Sequence, residues 1–275
     1  MANIRAVYVK PLRTLDSLGE ELAFFIKALA WTPRTLRRYK KEILRILAEV
    51  TLGSGALAVI GGTVGVITAM CFFTGTEVGL QGYAALNQLG TAAFSGFVSA
   101  YFNTREIAPL VAGIALAATV GCGFTAQLGA MRISEEVDAL EVMAIPSLPF
   151  LVTTRIIGGL IAIVPLYVVG LLASYFATRL TVTQFFGQST GTYDHYFNTF
   201  LPPGDVLWSF GKVLVFAVTV ILIHCYHGYT ASGGPAGVGV AVGKAVRTSI
   251  VALNVIDLFL SMAIWGASTT VRLAG

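Results

Sequence analysis

Charge is what this sequence has least of. Asp, Glu, Lys and Arg make up 12% of its 275 residues, against about 25% in an ordinary soluble domain. Too little polar side chain remains to cover a surface facing water. With 56% hydrophobic residues and a mean hydropathy of +0.78, lipid must solvate much of the chain instead. Cysteine motifs are missing too. Cys71, Cys122 and Cys225 stand alone in apolar stretches, without the paired spacing of a zinc site or a disulfide framework. His224 and His227 share a helical face, but no nearby Cys, Asp or Glu completes a metal ligand set with them. A phosphate-cradling loop is absent. Near Gly243-Lys244, Val238 stands where the first glycine belongs, and Ala245 where Ser or Thr would hold magnesium. The chain therefore lacks the usual means of hydrolysing ATP, and nothing in it reads as a catalytic centre. The first 49 residues hold many charges and no long apolar core, unlike a cleaved signal peptide. No inverted repeat is visible, which argues against a secondary transporter built from two halves.

What is present is a series of apolar windows, each long enough for the roughly 20 residues that cross a bilayer. No charge falls between Glu49 and Glu77, or between Arg155 and Arg179, and Asp257 alone interrupts the stretch from Arg247 to Arg272. These windows predict an all-α integral membrane protein. Its spans lie near residues 50–74, 152–177, 211–229 and 249–271. The stretch 78–131 reads either as two spans around Arg105-Glu106 or as one span holding that pair inside. Counting basic residues does not separate five spans from six, because both place the same number on the inner side.

Ten of the 18 Lys and Arg precede residue 50. Basic residues beside a first span favour the cytoplasmic side and are drawn to anionic head groups. No stacking aromatics or fold motif accompany them, so nucleic-acid binding is not expected. Residues 12–29 place Leu12, Leu15, Leu18, Leu22, Phe25, Ile26 and Leu29 at helical spacing. Such a helix fits the membrane interface or a protein neighbour. After Pro33, a basic helix over about 34–48 leads into the first span. That span carries a GxxxG at Gly61 and Gly65, a spacing that lets two helices approach closely. A polar, aromatic loop is expected over 181–210, and a glycine-rich loop with Lys244 and Arg247 precedes the last span.

The segment Thr104–Met143 is the most informative. It joins Arg105-Glu106 and Pro109 to the small-residue run Gly121-Cys122-Gly123. Gly129-Ala130-Met131-Arg132 and the acidic set Glu135-Glu136-Val137-Asp138 follow. This order resembles the MlaE/YrbE permease family, the membrane subunits of ABC transporters that work with MCE-domain lipid-binding proteins. The likeness extends to Gly79-Leu80-Gln81-Gly82-Tyr83, Lys212-Val213, Gly228-Tyr229 and Asp257, and so covers nearly the whole chain. The glycine-rich loop and the long 181–210 loop look most like the actinobacterial YrbE branch, whose permeases pair as two different subunits in Mce complexes.

The resemblance implies five spans, an amino-terminal interfacial segment over 1–48 and a permease domain over 49–275. It also implies a cytoplasmic coupling helix over about 127–145, carrying Arg132, Glu135, Glu136 and Asp138 toward a separate ATPase that binds ATP and magnesium. A second permease chain, a paralogue or an identical copy, is implied beside MCE-domain proteins. The site would be the bacterial inner (plasma) membrane, with a cytoplasmic N-terminus and a periplasmic C-terminus. The chain itself would carry no cofactor and no catalytic residue. Ionisable residues inside spans usually face a cavity or one another. Arg105 and Glu106, adjacent on a helix, point about 100° apart, so each needs another partner. Lys212 and Asp257 are the natural counter-charges. These four are expected to rim a lipid pocket, Arg105 and Lys212 toward an anionic head group and Leu80 and Tyr83 toward acyl chains. A structural ion-pair network is the competing reading of the charges, and a membrane scaffold or channel that needs no ATPase is the competing reading of the chain.

Overall fold

The computed structural model describes residues 19–52 and 62–266. Three helices come first: α1 (residues 19–30), α2 (Thr32–Arg38) and α3 (Lys40–Leu52). Five long apolar helices follow: α4 (Thr63–Gln88), α5 (Ala92–Ile133), α7 (Leu148–Phe185), α9 (Pro203–Tyr229) and α10 (Gly234–Trp265). Two short ones interrupt them, α6 (Glu136–Val142) and α8 (Thr190–Thr199). The five long helices are each long and apolar enough to cross a membrane. Alternating directions place α1–α3 and α6 at one end of the bundle and α8 at the other.

Several helix ends fall elsewhere than the charge-free windows suggested. The first described span ends at Gln88, not near 74, and carries Glu77 on an exposed face, where Gln81 Nε2 donates to its carboxylate at 2.9 Å. The GxxxG residue Gly61 lies outside the described residues. Arg105-Glu106 sits inside a single helix, so the stretch 78–131 contributes the end of one span and most of the next. The 181–210 segment is not a loop: α7 runs on to Phe185, α8 forms, and α9 starts at Pro203 rather than 211. Pro203 suits the first turn of a helix, whose N–H has no partner there anyway. Similarly, α10 begins at Gly234, with Pro235 in its first turn, so Lys244 and Arg247 lie on a helix. Long basic side chains tolerate that position because they can run along apolar surface to water.

The amino-terminal arm is divided as well. The expected basic helix over 34–48 breaks at Tyr39, whose backbone leaves the helical region (φ −114, ψ 36). The boundary expected at 48/49 falls inside α3. Within α1, Ala28 is fully buried and Phe24 packs on Tyr226 and Tyr229 of α9, while Leu22 and Ile26 are exposed. The helix therefore meets protein on one side and presents leucine and isoleucine on another. Its expected beginning at Leu12, Leu15 and Leu18 lies outside the described residues.

Small residues set the closest approach in the core. A Cβ added at Gly75 on α4 would lie 2.4 Å from the carbonyl oxygen of Ser174 on α7. One helical turn on, Thr178 Oγ1 donates to the Gly75 carbonyl at 2.7 Å. Asn103 Nδ2 of α5 donates to the same Thr178 at 2.9 Å. In lipid, where apolar surfaces gain nothing by avoiding the solvent, such contact and hydrogen bonding hold helices together. At the opposite end from α6, the same device docks α8: a Cβ on Gly96 would lie 2.2 Å from the Tyr193 carbonyl oxygen. Arg179 Nε and Nη2 then grip the Asp194 carboxylate at 2.8 and 2.9 Å.

Two outcomes are expected. Gly75→Ala forces backbone apart and should destabilise the bundle by about 1–3 kcal/mol. Gly211→Ala, with open space at its Cβ, should be neutral or stabilising in the same thermal unfolding assay. Separately, the Arg179 hydrogen bonds hold the Asp194 carboxyl below its ordinary 3.8. A depressed carboxyl gives stability that is present above the ordinary pKa and lost as pH falls through the folded value. The pair is exposed, so the effect is under about 1 kcal/mol. Hydrogen exchange in α8 should accelerate as pH drops below about 4, after correction for intrinsic exchange rates, and Asp194→Asn should remove that acceleration.

Candidate functional site

Most of the charges buried among the spans gather in the half of the bundle nearer α8, and helix chemistry explains how they are presented. Pro109 has no N–H to give the carbonyl of Arg105, four residues earlier. Around it, residues Ser99–Ile107 wind in wide π-type turns, a geometry frequent at functional sites. The freed Arg105 carbonyl accepts from Lys212 Nζ of α9 at 2.8 Å. The same ammonium meets Glu106 Oε2 at 3.1 Å, Asp257 Oδ1 at 2.7 Å and Ser261 Oγ at 2.6 Å. Ser261 Oγ in turn donates a hydrogen bond to Glu106 Oε1 at 2.7 Å. Lys212 is thus enclosed, its side chain showing 0% exposure.

Arg105 turns away from Glu106, as adjacent helical positions require, and finds a different acid. Its Nε donates to Asp205 Oδ2 at 2.8 Å, and its Nη2 lies 2.6 Å from the same oxygen. Trp265 Nε1 donates to the other oxygen, Oδ1, at 3.1 Å. The guanidinium also stacks on Tyr101, 4.1 Å from the ring centre, an additional attraction for a desolvated cation. Asp205 completes the network but was not among the expected site residues. Its signal was positional: an acid two residues past Pro203 belongs to the first turn of a helix, hence to the start of a span.

The structure thus brings together Arg105, Glu106, Lys212 and Asp257, adds Asp205, and links α5, α9 and α10. It does not place Leu80 and Tyr83 in the network. Leu80 lines an apolar groove of about 460 Å³ with Phe72, Thr76, Leu180 and Phe185, between α4 and α7. Tyr83 stacks on Phe186 at 4.2 Å. The picture of Lys212 and Arg105 rimming an open pocket also needs correction. Both cations are buried and engaged by three carboxylates, and Glu106, 37% exposed, is the most open member. Desolvation explains this: an unpaired cation in lipid costs several kcal/mol, so the chain surrounds each with acids.

At the other end, the acidic set stands on a separate short helix. The expected coupling helix over 127–145 is two helices, because Glu135 adopts a left-handed backbone (φ 61) that ends α5 before α6 begins. Arg132 Nη1 of α5 reaches across the break to Asp138 Oδ1 at 2.6 Å. Val137 is buried beneath α6, while Glu135, Glu136 and Asp138 are exposed. Ser147 Oγ bonds both Glu141 Oε1 and the Tyr229 hydroxyl at 2.7 Å, tying the far end of α6 to α9.

Among the described residues no cluster of His, Cys, Asp and Glu could hold a metal ion. His224 is instead packed internally, its Nδ1 at 2.8 Å from Thr125 Oγ1 and its ring against Gly121. Lys212→Met should strand Glu106 and Asp257 and cost about 3–5 kcal/mol, read as a fall in unfolding free energy in bilayer or detergent. Adding Asp257→Asn to it should recover part of the loss; independent, additive losses would mean that the two do not interact.

Known proteins are similar to this chain in sequence. Residues 53–263 match the family model described as Permease MlaE. A probable ABC transporter permease protein of Rickettsia bellii is 30% identical over 184 residues, covering 67% of this chain and 71% of that protein. The chloroplastic protein TRIGALACTOSYLDIACYLGLYCEROL 1 of Arabidopsis thaliana is 30% identical over 70% of this chain and 56% of its own length. The intermembrane phospholipid transport system permease protein MlaE of Haemophilus influenzae is 28% identical over 71% of this chain and 75% of its own. A five-helix apolar bundle with this match over most of its length is not an enzyme but a membrane permease, and the chain belongs to the MlaE permease family.

Proposed function

We propose that this chain is the membrane subunit of an ATP-driven lipid transporter, working with a separate ATPase, a second permease chain and MCE-domain proteins. In this reading α1–α3 and α6 face the cytoplasm of a bacterium, α8 faces the periplasm, and the C-terminus leaves on the periplasmic side. The ten basic residues ahead of residue 50 favour that orientation. The permease relative from Haemophilus influenzae is named for intermembrane phospholipid transport, which supports lipid as the cargo.

The observation that carries the reading is the mounting of α6. Its carboxylates Glu136 and Asp138 are exposed, yet the helix is fastened to α5 through Arg132 and to α9 through Ser147 and Tyr229. Those two helices are the ones that hold Arg105 and Lys212 near the opposite end. An ATPase gripping α6 by charge-assisted hydrogen bonds would therefore move two rods whose far ends share one ion network. ATP and magnesium belong to that partner. Movement of α5 against α9 and α10 would alter access to Glu106, while acyl chains lie in the apolar groove beside Leu80. Tyr83, stacked at the end of α4, borders that region. Two such chains meeting in the membrane would enclose the lipid between them.

Replacing Glu135 and Glu136 with lysine reverses charge that the ATPase would grip and leaves the Arg132–Asp138 tie in place. Each charge-assisted hydrogen bond is worth about 1.5–3 kcal/mol, so capture of the ATPase should weaken at least about tenfold. Thermal stability of the permease should change little, because both side chains are exposed. Undiminished capture and undiminished lipid-dependent ATP turnover in the doubly reversed variant would refute coupling through α6.

A further inference from the structure

A third cation is buried in this protein, and it is held quite differently from Arg105 and Lys212. Arg155, in the early turns of α7, is 7% exposed. Its Nη1 donates to the Leu151 carbonyl at 2.7 Å and its Nη2 to Gln127 Oε1 at 3.1 Å. The guanidinium lies 5.5 Å from the Phe124 ring centre. Its buried Nε has no acceptor among the described residues. No ion pair joins it to a carboxylate there. Glu49 is reached only through Gln127, whose Nε2 donates to Glu49 Oε1. Arg105, by contrast, has Asp205 in direct contact. A buried guanidinium served by neutral acceptors keeps most of its desolvation penalty, unless an occupant supplies the missing charge.

There is space for one. Arg155 lines a cavity of about 460 Å³ between α3, the end of α5 and α7, with Glu42, Glu49 and Glu136 also on its walls. A second cavity of about 330 Å³ shares Glu49 and Gln127 with the first. It is lined by Val50, Val120, Phe124 and the bare backbone of Gly123. Nothing among the described residues lies within 4 Å of where a Cβ on Gly123 would stand. Two adjacent cavities thus run from the α6 end of the bundle along α5, sharing Glu49 and Gln127, and the second has Val50, Val120 and Phe124 on its walls.

We propose that these two adjacent cavities together bind one glycerophospholipid with a zwitterionic, amine-bearing head group, drawn from the leaflet at the α6 end. Its phosphate lies at Arg155, a planar donor suited to phosphate oxygens. Its ammonium faces the carboxylates, which outnumber the guanidinium groups of the first chamber: Glu42, Glu49 and Glu136 against Arg45 and Arg155. That excess disfavours a purely anionic head group. One acyl chain occupies the chamber beside Gly123. This site is separate from the network around Lys212, and it stands or falls without the transport reading.

The test uses the full chain with its native partners, extracted in mild detergent and weighed intact by mass spectrometry after exposure to defined lipids. The wild type should retain phosphatidylethanolamine in preference to phosphatidylglycerol. Arg155→Gln and Gly123→Leu should each weaken that retention at least about tenfold. The glycine variant fills the second chamber without displacing a described neighbour, so it keeps the test alive if the arginine variant fails to fold. Water-soluble glycerophosphoethanolamine separates a lipid from a free phosphate ester. Binding of it as tight as that of the lipid would overturn the acyl-chain assignment. Lipid retention untouched by Gly123→Leu would overturn the site, and so would loss of a bound protein partner in the variants with lipid retention intact.

Discussion

The fold turns on the enclosure of one ammonium group. The Lys212 side chain is fully buried inside the bundle, and a lone cation there would cost several kcal/mol. Four oxygen acceptors from two other helices surround it: the Arg105 carbonyl, Glu106, Asp257 and Ser261. None of these satisfies the charge alone, and each comes from a helix that must be correctly rotated to reach it. The requirement that Lys212 be paired therefore fixes the relative rotation of α5, α9 and α10. Pro109 contributes by omission, since the hydrogen bond it cannot make leaves a carbonyl for the ammonium. The wide turns of Ser99–Ile107 then aim Arg105 at Asp205 and Glu106 at Lys212, so two adjacent residues serve two different pairs.

A network of paired charges, like a packed core, yields to a push in discrete steps. The five charged members of this one sum to one excess negative charge, and the most open of them is Glu106. A small rotation of α5 would exchange partners rather than stretch bonds continuously. At the other end, α6 is tied to α5 by Arg132 and, through Ser147, to Tyr229 of α9. The left-handed turn at Glu135 keeps α6 a separate lever instead of a straight extension of α5.

Much of this was legible from residues alone, and the reasons differ by element. Spans were visible because lipid tolerates few charges, and Arg105, Glu106, Lys212 and Asp257 stood out for the same reason. Their grouping followed from the need of each buried charge for an opposite. Helix ends were less legible. A charge-free window underestimates a span whenever the helix continues with charges on an exposed face or near its tips, as with Glu77, Lys244 and Arg247. Asp205 was hidden because its polar, proline-bearing neighbourhood reads as loop, although Pro202-Pro203 is equally a helix start. Leu80 and Tyr83 could not be located by charge logic at all. Their positions depend on how α4 leans on α7, which is decided by the contact at Gly75 and Ser174, and hydropathy carries no trace of that register.

The two buried arginines show what separates a structural charge from one with further business. Arg105 has a direct carboxylate, a ring beneath it and an indole that shares its acid. Removing any one of these leaves the others in place. Arg155 has a backbone carbonyl, an amide and a distant ring, and its negative partner acts only through Gln127. Both sit at similar burial, so the desolvation cost is comparable while the compensation is not. A chain that supplies three carboxylates to the cations at one end could have placed one beside Arg155. Glu49 stands just one side chain away, yet Gln127 comes between them. Interposing a neutral amide keeps the guanidinium fork unsaturated and the neighbouring cavity polar. That is how a protein holds a place for a phosphate it does not itself contain.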